Sequence, residues 1–265
     1  MFPILLRLGP LTLPTYGVLM ATAFLVALQV ARRHAGQDGI DPESLTGLFV
    51  VILICGIGGA KLTLYLVDWR YYLAHPDAIL ASWRSAGVYY GGFLGAGLAS
   101  VWYVRRHRLP LGPAADAIAP SVALAQSIGR LGCFAAGCCY GLPTHVPWAV
   151  TFTDPEAAAI TGVPLGIPRH PTQIYLSLNA LALFGLLLLV RRWKRRRELP
   201  SGVVFWSYVL LYSCGRFALE FLRADPRGTL GPLSTSQGIA IVGAAVAICA
   251  LARLALAHRR TVARA

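Results

Sequence analysis

The sequence predicts an all-α membrane protein: seven transmembrane helices with a small periplasmic head. Three observations point there. Hydrophobic residues fill 56% of the 265 positions and charged residues only 13%. The mean hydropathy of +0.60 is too apolar for a water-soluble domain of this size. Nearly uncharged runs long enough to cross roughly 30 Å of hydrocarbon recur along the chain, and basic residues gather after alternate runs. The Leu, Ala, Val and Gly content of the runs favours helices over a β-barrel, whose strands are shorter and alternating.

The runs are Leu13–Ala31, Leu45–Val67, Val88–Val104, Ala114–Ala136, Thr172–Val190, Val203–Leu222 and Ser236–Leu254. Short loops join most of them and no internal repeat is evident, so 1–265 reads as a single transmembrane domain. Two connections are longer. Asp68–Ser85 carries Trp69, Tyr71, Tyr72 and Trp83, an aromatic set suited to the outer interface. The Pro- and Gly-rich stretch 141–171 is long for a loop in a compact bundle, and Trp148–Thr153 alternates like a strand. That stretch is expected to be an ordered periplasmic head inserted within the domain.

The net charge of +13 invites a nucleic-acid reading, but the placement of the charge argues against one. Arg32 and Arg33 follow the first run, and Arg105, Arg106 and Arg108 the third. Arg191, Arg192 and Lys194–Arg197 follow the fifth, and Arg253, Arg259, Arg260 and Arg264 close the chain. Together these are 15 of the 24 lysines and arginines. All lie on alternate loops, which puts those loops and the C-terminus in the cytoplasm and the N-terminus outside. The run Arg191–Arg197 then anchors topology beside anionic membrane lipid. The first run, with only Arg7 before it, reads as a retained span and not as a cleaved signal peptide.

Ionisable groups inside spans are costly and normally face the bundle interior. Counting 1.5 Å per residue from the cytoplasmic ends puts Arg130 and Lys61 ~24 Å up and Arg216 ~20 Å up. Tyr16 and Tyr90 open the two inward-running spans at that same outer level, so five groups from five spans are expected in one layer. Arg216, Glu220 and Arg223 share one helix face, where Glu220 is able to orient either arginine. Guanidinium groups bind phosphodiesters bidentately, so an anionic lipid head group is the natural ligand. Gly56, Gly58 and Gly59 in the second run and Gly91, Gly92 and Gly95 in the third suit close helix packing.

Of six cysteines, Cys55, Cys214 and Cys249 lie within spans as small hydrophobes. Cys133, Cys138 and Cys139 cluster, and a break after Gly137 would bring Cys133 and Cys138 together. Three sulfurs with no evident fourth ligand are a poor structural zinc set, which leaves a thiol-redox or metal role as a competing function.

In order along the chain, Gly9-Pro10, Thr15-Tyr16-Gly17, Gly59-Ala60-Lys61-Leu62, Tyr90-Gly91-Gly92, Gly129-Arg130-Leu131-Gly132-Cys133-Phe134 with Gly137 and Gly141, His170-Pro171-Thr172-Gln173-Ile174-Tyr175, and Arg216-Phe217, Glu220-Phe221, Arg223, Leu233-Ser234 and Gln237 resemble the bacterial prolipoprotein diacylglyceryl transferase family. The resemblance covers nearly the whole chain. It implies a phosphatidylglycerol–prolipoprotein diacylglyceryl transferase of the bacterial cytoplasmic (inner) membrane, acting as a monomer on phosphatidylglycerol and the lipobox cysteine of a prolipoprotein signal peptide. No cofactor, metal or nucleic acid is implied.

By carry-over, Arg130, Arg216, Tyr90 and Glu220 would be catalytic. Arg130, Tyr16, Gly141, Arg223, Cys133, Lys61 and His170 would bind substrate. Three positions depart from the family pattern: Tyr90 stands where the family has His, Cys133 where it has Asn, and Cys138 where it has Glu. A paralogue with the same lipid pocket and another acceptor is the alternative that these departures leave open.

Overall fold

The computed structural model describes residues 2–8, 11–82, 87–225 and 228–263. Gly9, Pro10, Trp83, Ser85 and Arg264, singled out above, lie outside the described residues. The helices are α1 Thr15–Gln37, α2 Pro42–Val67, α3 Trp69–Ala74, α4 Asp77–Ala81, α5 Tyr89–Arg106, α6 Leu111–Ala136, α7 Pro155–Thr161, α8 Thr172–Arg196, α9 Val203–Glu220 and α10 Thr235–Val262. Three two-stranded antiparallel ribbons accompany them: β1 Ile4–Leu8 with β2 Leu11–Pro14, β3 Val150–Thr151 with β4 Pro168–Arg169, and β5 Thr229–Leu230 with β6 Leu233–Ser234.

The long helices α1, α2, α5, α6, α8, α9 and α10 each overlap one of the seven predicted runs, with Leu13 and Pro14 of the first run in β2 instead. Four of them, α1, α2, α8 and α10, are long and apolar enough to cross a bilayer by length and composition. The other three are short or interrupted by polar groups. Helices α5 and α9 have 18 residues each, and α6 carries Asp116, Gln126 and Arg130. Burial is inverted relative to a water-soluble protein. Large apolar side chains such as Leu25, Ile54, Leu98 and Ile239 are exposed, while Ala31, Ala117, Ala123, Asp116 and Gln173 are buried. Outward leucines beside small and polar interiors are what a hydrocarbon solvent selects.

The chain divides into two compact units, 32–114 and the remainder. In the smaller unit α2 begins on Asp41, whose carboxylate accepts from the Glu43 and Ser44 amides as an N-cap. Helices α2 and α5 then meet backbone to backbone. A Cβ added at Gly59 would lie 2.5 Å from the carbonyl oxygen of Gly91, so the paired glycines are spacers for helix packing. Lys61 is buried and donates to the Ser82 carbonyl at 2.5 Å. The Tyr65 and Ser82 hydroxyls lie 3.0 Å apart, and Tyr72 packs edge-on against both Tyr65 and Tyr71.

In the larger unit Ala119, Ala123, Leu183, Leu187 and Val204 form a core shared by α6, α8 and α9. Ser127 and Ser177 lock α6 to α8, the Ser177 hydroxyl donating to the Ser127 carbonyl at 2.8 Å. Fully buried Asp116 is a hub at one end of the unit. Its carboxylate accepts from Lys194 Nζ at 2.6 Å and from the Gly202 and Phe205 amides at 2.9 Å each, capping the first turn of α9 from another helix. Arg191, also buried, donates to the Asp116 carbonyl. Two members of the basic run assigned to lipid anchoring are therefore tied into the helix packing.

The stretch between α6 and α8 carries short elements of its own. Tyr140, Phe152 and Val163 form a small core with Phe134, Val150 and Ala224 packed against it. Within it α7 starts on Asp154, which accepts from the Glu156 and Ala157 amides, and ends on Gly162 in the left-handed region. The strand foreseen over Trp148–Thr153 is confined to Val150–Thr151, paired with Pro168–Arg169.

Candidate active site

Helix α6 ends at Ala136 because Gly137 takes a φ of +80°, which folds the following residues back beside the helix. The loop Cys138–Leu142 is then held from three sides. The Thr172 hydroxyl donates to the Cys139 carbonyl at 2.8 Å and Gln173 Nε2 to the Cys138 carbonyl at 2.7 Å. The Leu142 amide donates to Leu222 and the Ala224 amide to Tyr140, with Gly141 bridged antiparallel to Arg223. Buried Arg169 reaches the Gly141 carbonyl at 3.0 Å, its guanidinium 5.0 Å from the Tyr140 ring centre. No side chain fits at 141, since a Cβ there would stand 2.5 Å from the His170 carbonyl oxygen.

The arginines stand around this loop. Arg130 and Arg216 line one small pocket with Gln126, Leu176, Asn179, Ala180 and Tyr212. Buried Arg216 pairs with Glu220 one turn on and donates to the Ser236 hydroxyl at 3.1 Å. Glu220 also accepts from the Ser234 hydroxyl at 2.9 Å and lies 3.8 Å from Arg223. Arg223 grips Asp225 through two parallel bonds of 3.0 Å, the bidentate geometry that fixes a guanidinium plane. Arg130 differs from both: its one hydrogen-bond partner among the described residues is Cys139 Sγ at 3.8 Å. It is the arginine of this group without a carboxylate.

Other expected residues are close by. Tyr16 packs over Gly132, where a Cβ would meet its ring at 3.2 Å. Cys133 belongs to a group of three sulfurs with Cys138 and Cys139, all within 4.8 Å of one another. His170 Nδ1 lies 3.2 Å from the Tyr175 hydroxyl, which accepts from the Trp148 indole at 2.6 Å. The Tyr175 hydroxyl, with one hydrogen and two lone pairs, is able to donate to Nδ1 or to accept from it. Lys61 and Tyr90 belong to the smaller unit, where Lys61 is buried against Ser82 and Tyr90 is exposed in the first turn of α5.

Several residues that complete the arrangement were not singled out as site residues in the sequence. Asp225 and Ser236 orient Arg223 and Arg216, Arg169 and Thr172 hold the loop, and Gln126 and Asn179 line the pocket. Gln126 had a signal, standing four residues before Arg130 on the same face of α6. Ser236 had none beyond its place in a polar turn.

A sequence model of the family described as prolipoprotein diacylglyceryl transferase matches residues 3–253. Among similar proteins, the phosphatidylglycerol–prolipoprotein diacylglyceryl transferase of Clostridium tetani (strain Massachusetts / E88) is 38% identical over 241 residues, covering 91% of this chain and 93% of the relative. The protein of the same description from Symbiobacterium thermophilum is 33% identical over 262 residues, 97% and 93% of the two chains. That from Trichormus variabilis is 32% identical over 263 residues, 97% and 91%.

Proposed function

The chain belongs to the prolipoprotein diacylglyceryl transferase family, and on that premise we propose that it moves the diacylglyceryl group of phosphatidylglycerol onto the lipobox cysteine of a prolipoprotein, using Arg130 to hold the lipid phosphate. A thiolate attacks an sp3 carbon of the glycerol. A C–S bond forms, the C–O bond to phosphate breaks, and glycerol phosphate leaves. Negative charge grows on the departing phosphate, so fixed guanidinium groups around it lower the barrier.

The observation that carries the reading is the contrast among the arginines. Arg216 and Arg223 are held by Glu220, Asp225 and Ser236, whereas Arg130 meets only a sulfur among the described residues. A rigid pair beside an uncommitted third is an arrangement prepared for an anion from outside the chain. Arg216 shares the phosphate charge, with Glu220 as its positioning residue. Arg223 and Gly141 shape the loop that lies against the lipid, and Tyr16 and Cys133 line its side. Tyr90 takes the thiol proton, and Lys61 binds substrate. His170 serves as a donor to substrate.

The finer topology belongs to the same proposal. All seven long helices span the bacterial cytoplasmic membrane of a monomer, with the N-terminus and the 141–171 head outside and the C-terminus in the cytoplasm, as the basic loops favour. The test is release of glycerol phosphate from phosphatidylglycerol by the purified protein in detergent, with a lipobox peptide as acceptor. Release is expected with the cysteine peptide, together with a thioether on it, and not with a peptide bearing serine at that position. Release independent of the thiol would overturn the assignment of the acceptor.

A further inference from the structure

Cys133, Cys138 and Cys139 bring three thiols to one point, and no bond is made or broken at any of these sulfurs in the transfer just described. Their sulfurs lie within 4.8 Å of one another. The loop that carries two of them is fixed through its own carbonyls by Thr172 and Gln173. Cys139 holds a φ of +61°, a conformation that non-glycine residues rarely take and that turns its side chain back toward α6. A trigonal ion about 2.3 Å from each of three sulfurs, the usual zinc–thiolate length, sets them roughly 4.0 Å apart. The cluster is therefore within a small side-chain adjustment of that geometry, and among the described residues no His, Asp or Glu joins it as a fourth ligand.

We propose that Cys133, Cys138 and Cys139 form a three-coordinate site for a thiophilic d10 cation, with Cu(I) as the ion whose preference the donor set fits. Soft thiolates select Cu(I), and zinc in structural sites takes four ligands. Binding replaces three S–H bonds with three S–metal bonds. Three protons go to solvent, and no electron is transferred. The added negative charge is offset by Arg130, whose Nη1 already lies 3.8 Å from Cys139 Sγ. A loaded site holds Arg130 more firmly against sulfur. On the reading of Arg130 as the phosphate ligand, loading therefore inhibits transfer.

The full-length protein, purified anaerobically in detergent, would be titrated with Cu(I) against a chromophoric Cu(I) chelator. One equivalent is expected to be retained, with X-ray absorption showing three sulfur neighbours. A Cys55→Ser/Cys214→Ser/Cys249→Ser variant keeps that equivalent. Cys133→Ser drops to two sulfurs and weakens binding by at least about tenfold, since even indirect partners of metal ligands carry that much affinity. No retained copper, a two- or four-sulfur spectrum from the intact protein, or loss of binding in the triple variant would overturn the site. Loaded protein is expected to transfer at least about tenfold more slowly than the apo form, in line with the loss of one charge-stabilising group. Equal rates at full loading would overturn the inhibition. An apo protein that binds copper with three sulfurs yet releases no glycerol phosphate would count against the transferase reading and leave the metal site standing.

Discussion

Gly141 shows how narrowly the loop beside the arginines is specified. Its backbone is bridged to Arg223, gripped by Arg169 and pressed against the His170 carbonyl, with room for hydrogen alone. Gly141→Ala cannot be absorbed by a rotamer change, because the obstacle is backbone. The variant is expected to fold with its 141–171 segment displaced. Transfer should fall by roughly 100-fold, the scale of a misplaced reacting group, and limited proteolysis should newly cut within 141–171. Wild-type activity in this variant would show that the close approach is unimportant. The need for glycine here came from a sequence resemblance; its physical cause, a carbonyl 29 residues along the chain, is visible only in the fold. The same holds for Arg223, whose partner Asp225 lies two residues away. Nothing in the sequence sets Asp225 apart from an ordinary loop acid.

At the scale of elements, the helices were legible and their joints were not. Hydrophobic runs of span length announced α1, α2, α5, α6, α8, α9 and α10, and Gly137 announced the end of α6. Asp116 did not announce itself as the hub that ties α6 to the end of α8 and the start of α9, because its partners lie 78 to 89 residues away. Its carboxylate is fully buried and satisfied by Lys194, Gly202 and Phe205. Asp116→Ala leaves the lysine and two amides without their acceptor, a loss on the order of 3 kcal/mol for a broken buried ion pair. Thermal unfolding in detergent should show a lower midpoint for Asp116→Ala than for Lys194→Met, which keeps both amide bonds. Equal midpoints would mean that the amides contribute little and the salt bridge dominates.

For the whole molecule, apolar surface and basic loops say that the chain lives in a bilayer, and the resemblance along it says which chemistry it performs. The proposed orientation predicts that a cysteine placed at Thr261, in a protein whose own cysteines are blocked, is unreactive to an impermeant maleimide added to intact spheroplasts and reactive after lysis. One placed at exposed Ile160 should be labelled without lysis, and the reverse pattern would invert the topology. The three-sulfur cluster was half legible: the sequence supplied the cysteines and the helix break, but only the fold set the sulfurs beside Arg130. That arginine carries the central claim. The measurement that bears on it most directly is the rate of glycerol phosphate release from phosphatidylglycerol by purified Arg130→Ala, against wild type of matched thermal stability and a lipobox peptide. The rate is predicted to fall by at least about 100-fold, as for removal of one preorganised donor to a developing anion, with Arg130→Lys intermediate because the charge survives without the fork. Release by Arg130→Ala at the wild-type rate would contradict the account.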